Sequence, residues 1–340
     1  MIPSPLYPIP MPRPKVAILY VGGSIGMVRN KKTNRMEQLD SVGDFYRFLP
    51  DLQREVSLEF FSIANLDSTD ITPENWVEIA HTIQEHYDTF EGFVVIHGTN
   101  TMSYTASALS FALQNLRKPV VFTGSLLPIN DTGSDGRMNL VFAIRAALLD
   151  IAEVCIALGP RVLRGCRAKK TEQSILQTFD CPRFPPLAYF DTSVHLHPWR
   201  TVRRKRTLLC KADFDPNVIT LTLHPGMPQK IFYAILDAKP HGIVLRAYGL
   251  GMLPEQLFPW LRQVDHAGIP VLITSQLVRG TIDLHRYRKQ VILEKLGIIS
   301  GKDMTYECAV VKLMWVLKQT NNAKRRRELL EKNLVGELDE

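Results

Sequence analysis

Two short stretches combine glycine flexibility with hydroxyl and amide side chains, a mixture that suits nucleophilic chemistry. In Gly22-Gly23-Ser24 the glycines allow a close backbone approach to a ligand and leave N–H groups free. A hydroxyl in that setting can attack a carbonyl carbon while neighbouring amides hold the developing oxyanion. The same letters also fit a plain glycine turn, and spacing alone does not separate the two. The stretch is neither the G-x-x-x-x-G-K-S/T phosphate loop nor the G-x-G-x-x-G dinucleotide pattern. His97-Gly98-Thr99-Asn100-Thr101-Met102 repeats glycine, hydroxyl and amide, and a threonine beside a lysine can shuttle a proton.

Both stretches follow apolar runs that read as buried strands. Val16 to Tyr20 stops at Gly22-Gly23, and Gly92 to His97 stops at Gly98. Thr72-Pro73-Glu74-Asn75-Trp76 is a helix start with Thr72 as cap and Pro73 in the first position, leading a periodic stretch to Tyr87. A helix over Ser103 to Asn115, a strand over Pro119 to Gly124 and a helix over Asn139 to Asp150 continue the alternation. Repeated strand–helix units predict an α/β fold: a doubly wound, mostly parallel sheet with its active loops at the strand C-termini. Residues 191–214 break the rhythm with basic, His- and Pro-containing sequence and read as an interdomain linker. Alternation resumes at Ile219 to Leu223, Gly242 to Leu245 and Pro270 to Thr274, with helices after Thr305. The expected organisation is a Pro-rich arm (1–14), an N-terminal catalytic domain (15–190), the linker (191–214) and a smaller α/β C-terminal domain (215–340).

Composition excludes several function classes. The hydrophobic share of 45% and charged share of 22% are those of an ordinary soluble globular protein. No apolar run is long enough to span a bilayer, and the N-terminus lacks a secretion-signal pattern. Five cysteines without C-x-x-C spacing argue against a disulfide framework or a zinc site and favour a reducing cytoplasm. Histidines without H-x-x-x-H spacing give no expectation of a catalytic metal. The net charge of +7 is concentrated in Arg200 to Arg206 and Lys324-Arg325-Arg326-Arg327, without interleaved aromatics. Solvated surface explains those runs better than nucleic acid.

From Lys15 onward the chain resembles the asparaginase/glutaminase family, specifically its cytoplasmic (type I) branch. The resemblance is carried by Gly22-Gly23-Ser24-Ile25-Gly26-Met27, by Asp67 to Trp76 and by Gly92 to Thr99. It continues through Ser134-Asp135-Gly136, Arg164-Gly165-Cys166-Arg167 with Lys170, Tyr248-Gly249-Leu250-Gly251, and Asp303-Met304-Thr305 with Glu307. It implies hydrolysis of L-asparagine, or a related small amide, to the acid and ammonia through an acyl-enzyme, with no cofactor. Ser24 falls where the family has its nucleophilic threonine, and Thr99 and Lys170 match its second hydroxyl and its lysine. Gly23, Asp67, Ser68, Thr69, Thr99 and Asn100 fall on substrate-binding positions. A neighbouring subunit completes the site in this family, which implies a homodimer or a dimer of dimers.

The chain departs from the family pattern at specific places. Asn100 stands where the family has an aspartate that anchors the lysine and pairs with the substrate's ammonium; an amide accepts a hydrogen bond but carries no charge. Lys31 to Gln38 contains no counterpart of the family's loop tyrosine, Leu126 replaces a usual glutamine, and Met252 a usual asparagine. At the branch's regulatory asparagine site Arg246 and Tyr248 match, whereas Lys169, Ala247 and Leu277 are bulkier or less polar. These departures set a second expectation beside hydrolysis: a catalytically impaired homologue that serves as a binding or regulatory protein. The archaeal-type glutamyl-tRNA amidotransferase subunit is a third, but it carries an extra domain ahead of the glycine pair, which only about twenty residues precede here.

Overall fold

A computed structural model describes residues 13–30, 33, 35–38 and 46–339. Most of the expected Pro-rich arm lies outside them, as do Lys31, Lys32 and Asn34 of the stretch without the loop tyrosine.

The large sheet begins with β1 (Lys15–Tyr20), β2 (Ser57–Ser62), β3 (Gly92–Ile96), β4 (Val120–Thr123) and β5 (Val154–Leu158). It continues with β6 (Arg161–Arg164), β7 (Ala188–Phe190) and β8 (Val194–Leu196). Their order is β8-β7-β6-β5-β4-β3-β1-β2, parallel from β2 to β5 and antiparallel beyond. The mostly parallel, doubly wound expectation is met. Residues on β1 explain why both faces need cover: Ala17 and Leu19 join one core, Val16, Ile18 and Tyr20 the other. Helices α1 (Pro73–Glu85) and α2 (Met102–Ala112) close the first face; α3 (Gly136–Ala147) closes the second.

The smaller C-terminal sheet is wholly parallel: β9 (Val218–Thr222), β10 (Gly242–Ala247), β11 (Val271–Ser275) and β12 (Ile299–Ser300). Helices α4 (Gln229–Asp237), α5 (Phe258–His266) and α6 (Arg288–Lys295) cover one side. On the other, α7 (Tyr306–Gln319) packs against α2, with Phe111 and Trp315 stacked at 5.9 Å. This shared layer explains why α2 is buried all round. Two of its three serines, Ser107 and Ser110, satisfy their hydroxyls on the carbonyls one turn back.

The stretch 191–214 is more than a tether. Val194–Leu196 is the edge strand of the large sheet, and Leu209–Cys210 pairs with Leu113–Gln114 just beyond α2. Those pairings link distant positions, so local composition gave no sign of them. Helix α2 also ends earlier than its periodicity suggests, because Leu113–Gln114 leaves to make that pairing and Asn115 adopts a positive φ of 60°. All five cysteines are unpaired and four are buried. Among the described residues no helix is long and apolar enough to cross a membrane.

After α8 (Ala323–Glu331) the chain returns to the N-terminal domain. Arg167, 3% exposed, pairs with the buried Asp303 and with Asp339 at 2.8 Å, and donates to the Gly336 carbonyl at 2.7 Å. One guanidinium thus joins three points of the C-terminal half, its planar fork satisfied in every direction. Lys312 on α7 is paired likewise, with Glu337 at 2.6 Å and both side chains fully buried.

Replacing Arg167 by methionine leaves the buried Asp303 carboxylate with only the longer contact to Arg183, at 3.9 Å. The expected loss in urea unfolding is about 3–5 kcal/mol; a loss below about 1 kcal/mol would show that the clasp contributes little.

Candidate active site

In the strand order, β1 sends its connection one way to β2 while β3 lies on its other side, so the loops after β1 and β3 open at a topological switch point. Those loops carry Ser24 and Thr99. They lie closer than side chains permit: a Cβ on Gly23 would sit 2.7 Å from the Gly98 Cα, and Gly23 has a φ of 96°. Ser24 then opens a single 3-10 turn, closed by Gly26 N–H to the Gly23 carbonyl at 3.2 Å. Below it the buried Tyr20 ring leaves no room for a side chain on Gly26.

Lys170 reaches the site from a two-strand hairpin, Lys169–Lys170 against Phe179–Asp180. Its ammonium donates to the Thr99 hydroxyl and to the Asn100 side-chain carbonyl, each at 2.8 Å. Partial burial lowers the Lys170 pKa from its ordinary value. Such a shift favours the neutral amine that a base must be. Ser24, Thr99, Asn100 and Lys170 line one open cleft of about 560 Å³. Among the described residues no hydrogen bond joins the Ser24 hydroxyl to Thr99 or Lys170, so this geometry holds the lysine relay closed and the serine outside it.

Asp67, Ser68 and Thr69 form the adjoining loop rather than the cleft lining. The Asp67 carboxylate accepts from Thr69 N–H at 2.8 Å and its hydroxyl at 2.7 Å, bonds that hold its pKa below the usual range. Ser68 is buried against Gly98, and its carbonyl accepts the Thr101 hydroxyl at 2.5 Å. Sequence reasoning missed Ser125, Leu127, Gln173, Ser174 and Leu176, which also line the cleft. The last three stand on the Lys170 hairpin, whose composition carries no chemical signal. Asp135 supports the opposite rim: its carboxylate accepts Leu126 N–H at 3.1 Å and the Asn139 side-chain amide at 2.9 Å.

The matched regulatory positions lie apart from this cleft, at the end of β10. Arg246 lies over the Tyr306 ring at 5.0 Å, and Lys169 pairs with Glu307. Arg246 Nε, the Tyr248 hydroxyl and one Glu307 oxygen are buried without a hydrogen-bond partner. Of the remaining departures, Leu277 is 62% exposed and Met252 closes a turn with Tyr248. Among the described residues no three histidine, cysteine or carboxylate side chains gather as a metal site.

The family model for the N-terminal asparaginase domain matches residues 15–201, and that for the glutaminase/asparaginase C-terminal domain matches 217–330. L-asparaginase 1 of Escherichia coli K12 is 33% identical over 96% of this chain and 99% of its own length. The structure of the thermostable L-asparaginase from Thermococcus kodakarensis superposes with a TM-score of 0.90 at 33% identity, covering 96% of this chain and 99% of that one. A glutamyl-tRNA(Gln) amidotransferase subunit of Pyrococcus furiosus is 31% identical over 96% of this chain and 77% of its own length.

His97, between β3 and the Thr99 loop, is fully buried, with Nδ1 2.7 Å from the Gly98 carbonyl and Nε2 3.0 Å from the Thr105 hydroxyl. Burial lowers its pKa from 6.5 to about 4, so the ring stays neutral and braces the loop. The unfolded chain therefore binds a proton that the folded chain refuses. This contribution to stability is complete above pH 6.5 and is lost as the pH falls towards 4, amounting to about 3 kcal/mol. The expected NMR result is a His97 ring that does not titrate near pH 6.5 in the folded protein. A midpoint there would overturn this role.

Proposed function

The chain belongs to the asparaginase family, and on that premise we propose that it is an amidohydrolase releasing ammonia from L-asparagine or a related small amide. The observation that carries the reading is Lys170 bonded to Thr99 in the same cleft as Ser24. In this reading the Ser24 oxygen adds to the amide carbonyl carbon. Its proton passes by way of the Thr99 hydroxyl and neutral Lys170 to the departing nitrogen, which leaves as ammonia. Water then attacks the Ser24 ester, returns the hydroxyl and releases the acid. Serine supplies the attacking oxygen without the methyl that restricts a threonine rotamer. For the serine to act, its turn must swing towards Thr99, a tightening that ligand-free catalytic sites commonly need.

Asn100 sets the terms of that chemistry. Its carbonyl orients Lys170 but supplies no charge, so the ammonium form of the lysine is stabilised less than it would be beside a carboxylate. The reading includes a homodimer or dimer of dimers in the cytoplasm. Supporting the self-association are the exposed apolar side chains Leu277 and Val278, away from the cleft. No cofactor enters the proposed steps. A second reading, a binding or regulatory homologue with little catalysis, rests on the same Asn100.

Ammonia release from L-asparagine, D-asparagine and L-glutamine separates the two. Release that disappears in Ser24→Ala is expected; no release above that variant from any amide would leave the binding reading. Asn100→Asp is expected to raise kcat/KM for asparagine about ten- to a thousand-fold above the acidic limb, because a carboxylate there pairs with the substrate's ammonium. It should also move the acidic limb of the pH profile upward, because the carboxylate holds the proton on Lys170. An unchanged rate and an unmoved limb would place the limitation elsewhere. Salt-sensitive retention of RNA would point instead to the amidotransferase relationship.

A further inference from the structure

Lys170 is the one ionisable group among the described residues that line the Ser24 cleft. Its ammonium meets two neutral oxygens, from Thr99 and Asn100, and no carboxylate faces it there. The acidic groups on the surrounding segments are engaged elsewhere. Glu307 is paired with Lys169, and Asp180 with Arg161 at 3.1 Å; Asp67 and Asp135 keep their charge under hydrogen bonds from neutral groups, but neither lines the cleft. Among the residues of one protomer that line the cleft, a ligand ammonium would therefore meet a like charge and no carboxylate, whereas a ligand carboxylate would be attracted and a neutral amide would not be repelled.

The cleft is also apolar along one margin. Leu126 and Leu127 form it on one side, and Leu176 on the other; Leu127 is 38% and Leu176 50% exposed. Ile175, next along the hairpin, is 54% exposed. At about 560 Å³ the cleft has the size of pockets that hold ligands larger than one amino acid.

We propose that the preferred substrates are amides whose acyl part lacks a free ammonium and carries a short aliphatic extension, N-acylated asparagines before free asparagine. The proposal rests on the amidohydrolase reading and specifies its substrate. In N-acylation the ammonium becomes a neutral amide, the α-carboxylate remains to face Lys170, and the acyl tail lies along the three leucines. The reaction is unchanged: the C–N bond of the primary amide breaks, one water is consumed, and ammonia and the N-acyl aspartate leave.

The test uses the full chain with four probes: L-asparagine, succinamate (asparagine without its ammonium), N-acetyl-L-asparagine and N-hexanoyl-L-asparagine. The expected order of kcat/KM is N-hexanoyl-asparagine, then succinamate, then asparagine, with at least about ten-fold between first and last, as one uncompensated like charge implies. Leu176→Ser should reduce the advantage of the hexanoyl over the acetyl derivative and leave the ratio of succinamate to asparagine unchanged. Asparagine equal to or better than succinamate and N-hexanoyl-asparagine overturns the proposal and leaves the amidohydrolase standing. If nothing is hydrolysed, the amidohydrolase reading fails separately, and calorimetric titration of the same probes decides the preference. The same order there supports it; an equal or reversed order, or no binding, overturns it.

Discussion

Everything at the candidate site depends on a backbone contact that leaves no space for a carbon atom. The loops after β1 and β3 meet through Gly23 and Gly98, and a methyl at the first position would lie 2.7 Å from the second residue's Cα. Close-packed interiors do not absorb such an overlap without moving the backbone. The contact fixes the separation of the segments that carry Ser24 and Thr99. The switch-point topology supplies the crevice, and the two glycines set its width.

Charge is used in two opposite ways in this molecule. Away from the cleft, buried cations are matched: Arg164 to Glu153, Arg167 to Asp303, Lys312 to Glu337. Buried pairs of this kind add little net stability over apolar packing, but losing one partner costs much, so they enforce a single arrangement. In the cleft, Lys170 has only neutral partners and its pKa is lowered. The scaffold neutralises its charges and the site leaves one uncompensated. A carboxylate at position 100 would erase that difference, which gives the asparagine a consequence larger than one hydrogen bond.

Much of this was legible in the sequence, because parallel strands buried on both faces and glycine–hydroxyl loops leave local signatures. Val16 to Tyr20, Gly92 to His97 and their loops could be read directly, and Ser24, Thr99, Asn100 and Lys170 do line one cleft. What escaped is non-local. Gln173, Ser174 and Leu176 have no chemical signature until the Lys170 hairpin folds beside the Thr99 loop. The pairing of Leu209–Cys210 with Leu113–Gln114 joins segments nearly a hundred positions apart, and a basic stretch gives no hint of it. Asp135 was visible as part of a motif, but its hold on the Leu126 amide requires the turn between them.

The Arg167 clasp has a consequence for the order in which the protein is made. Its partners are Asp303, Gly336 and Asp339, all at least 130 residues downstream of the arginine. During synthesis the whole large sheet emerges before any of them. Throughout that interval the arginine has none of these three partners, and the lysine three positions later stands on an unclasped segment. The lysine of the cleft meets its own partners, Thr99, Asn100 and Phe179, early, whereas the flanking Arg167 and Lys169 wait for Asp303 and Glu307. A nascent polypeptide halted short of Asp303 can hold a complete sheet and still lack the ties on either side of that lysine's hairpin.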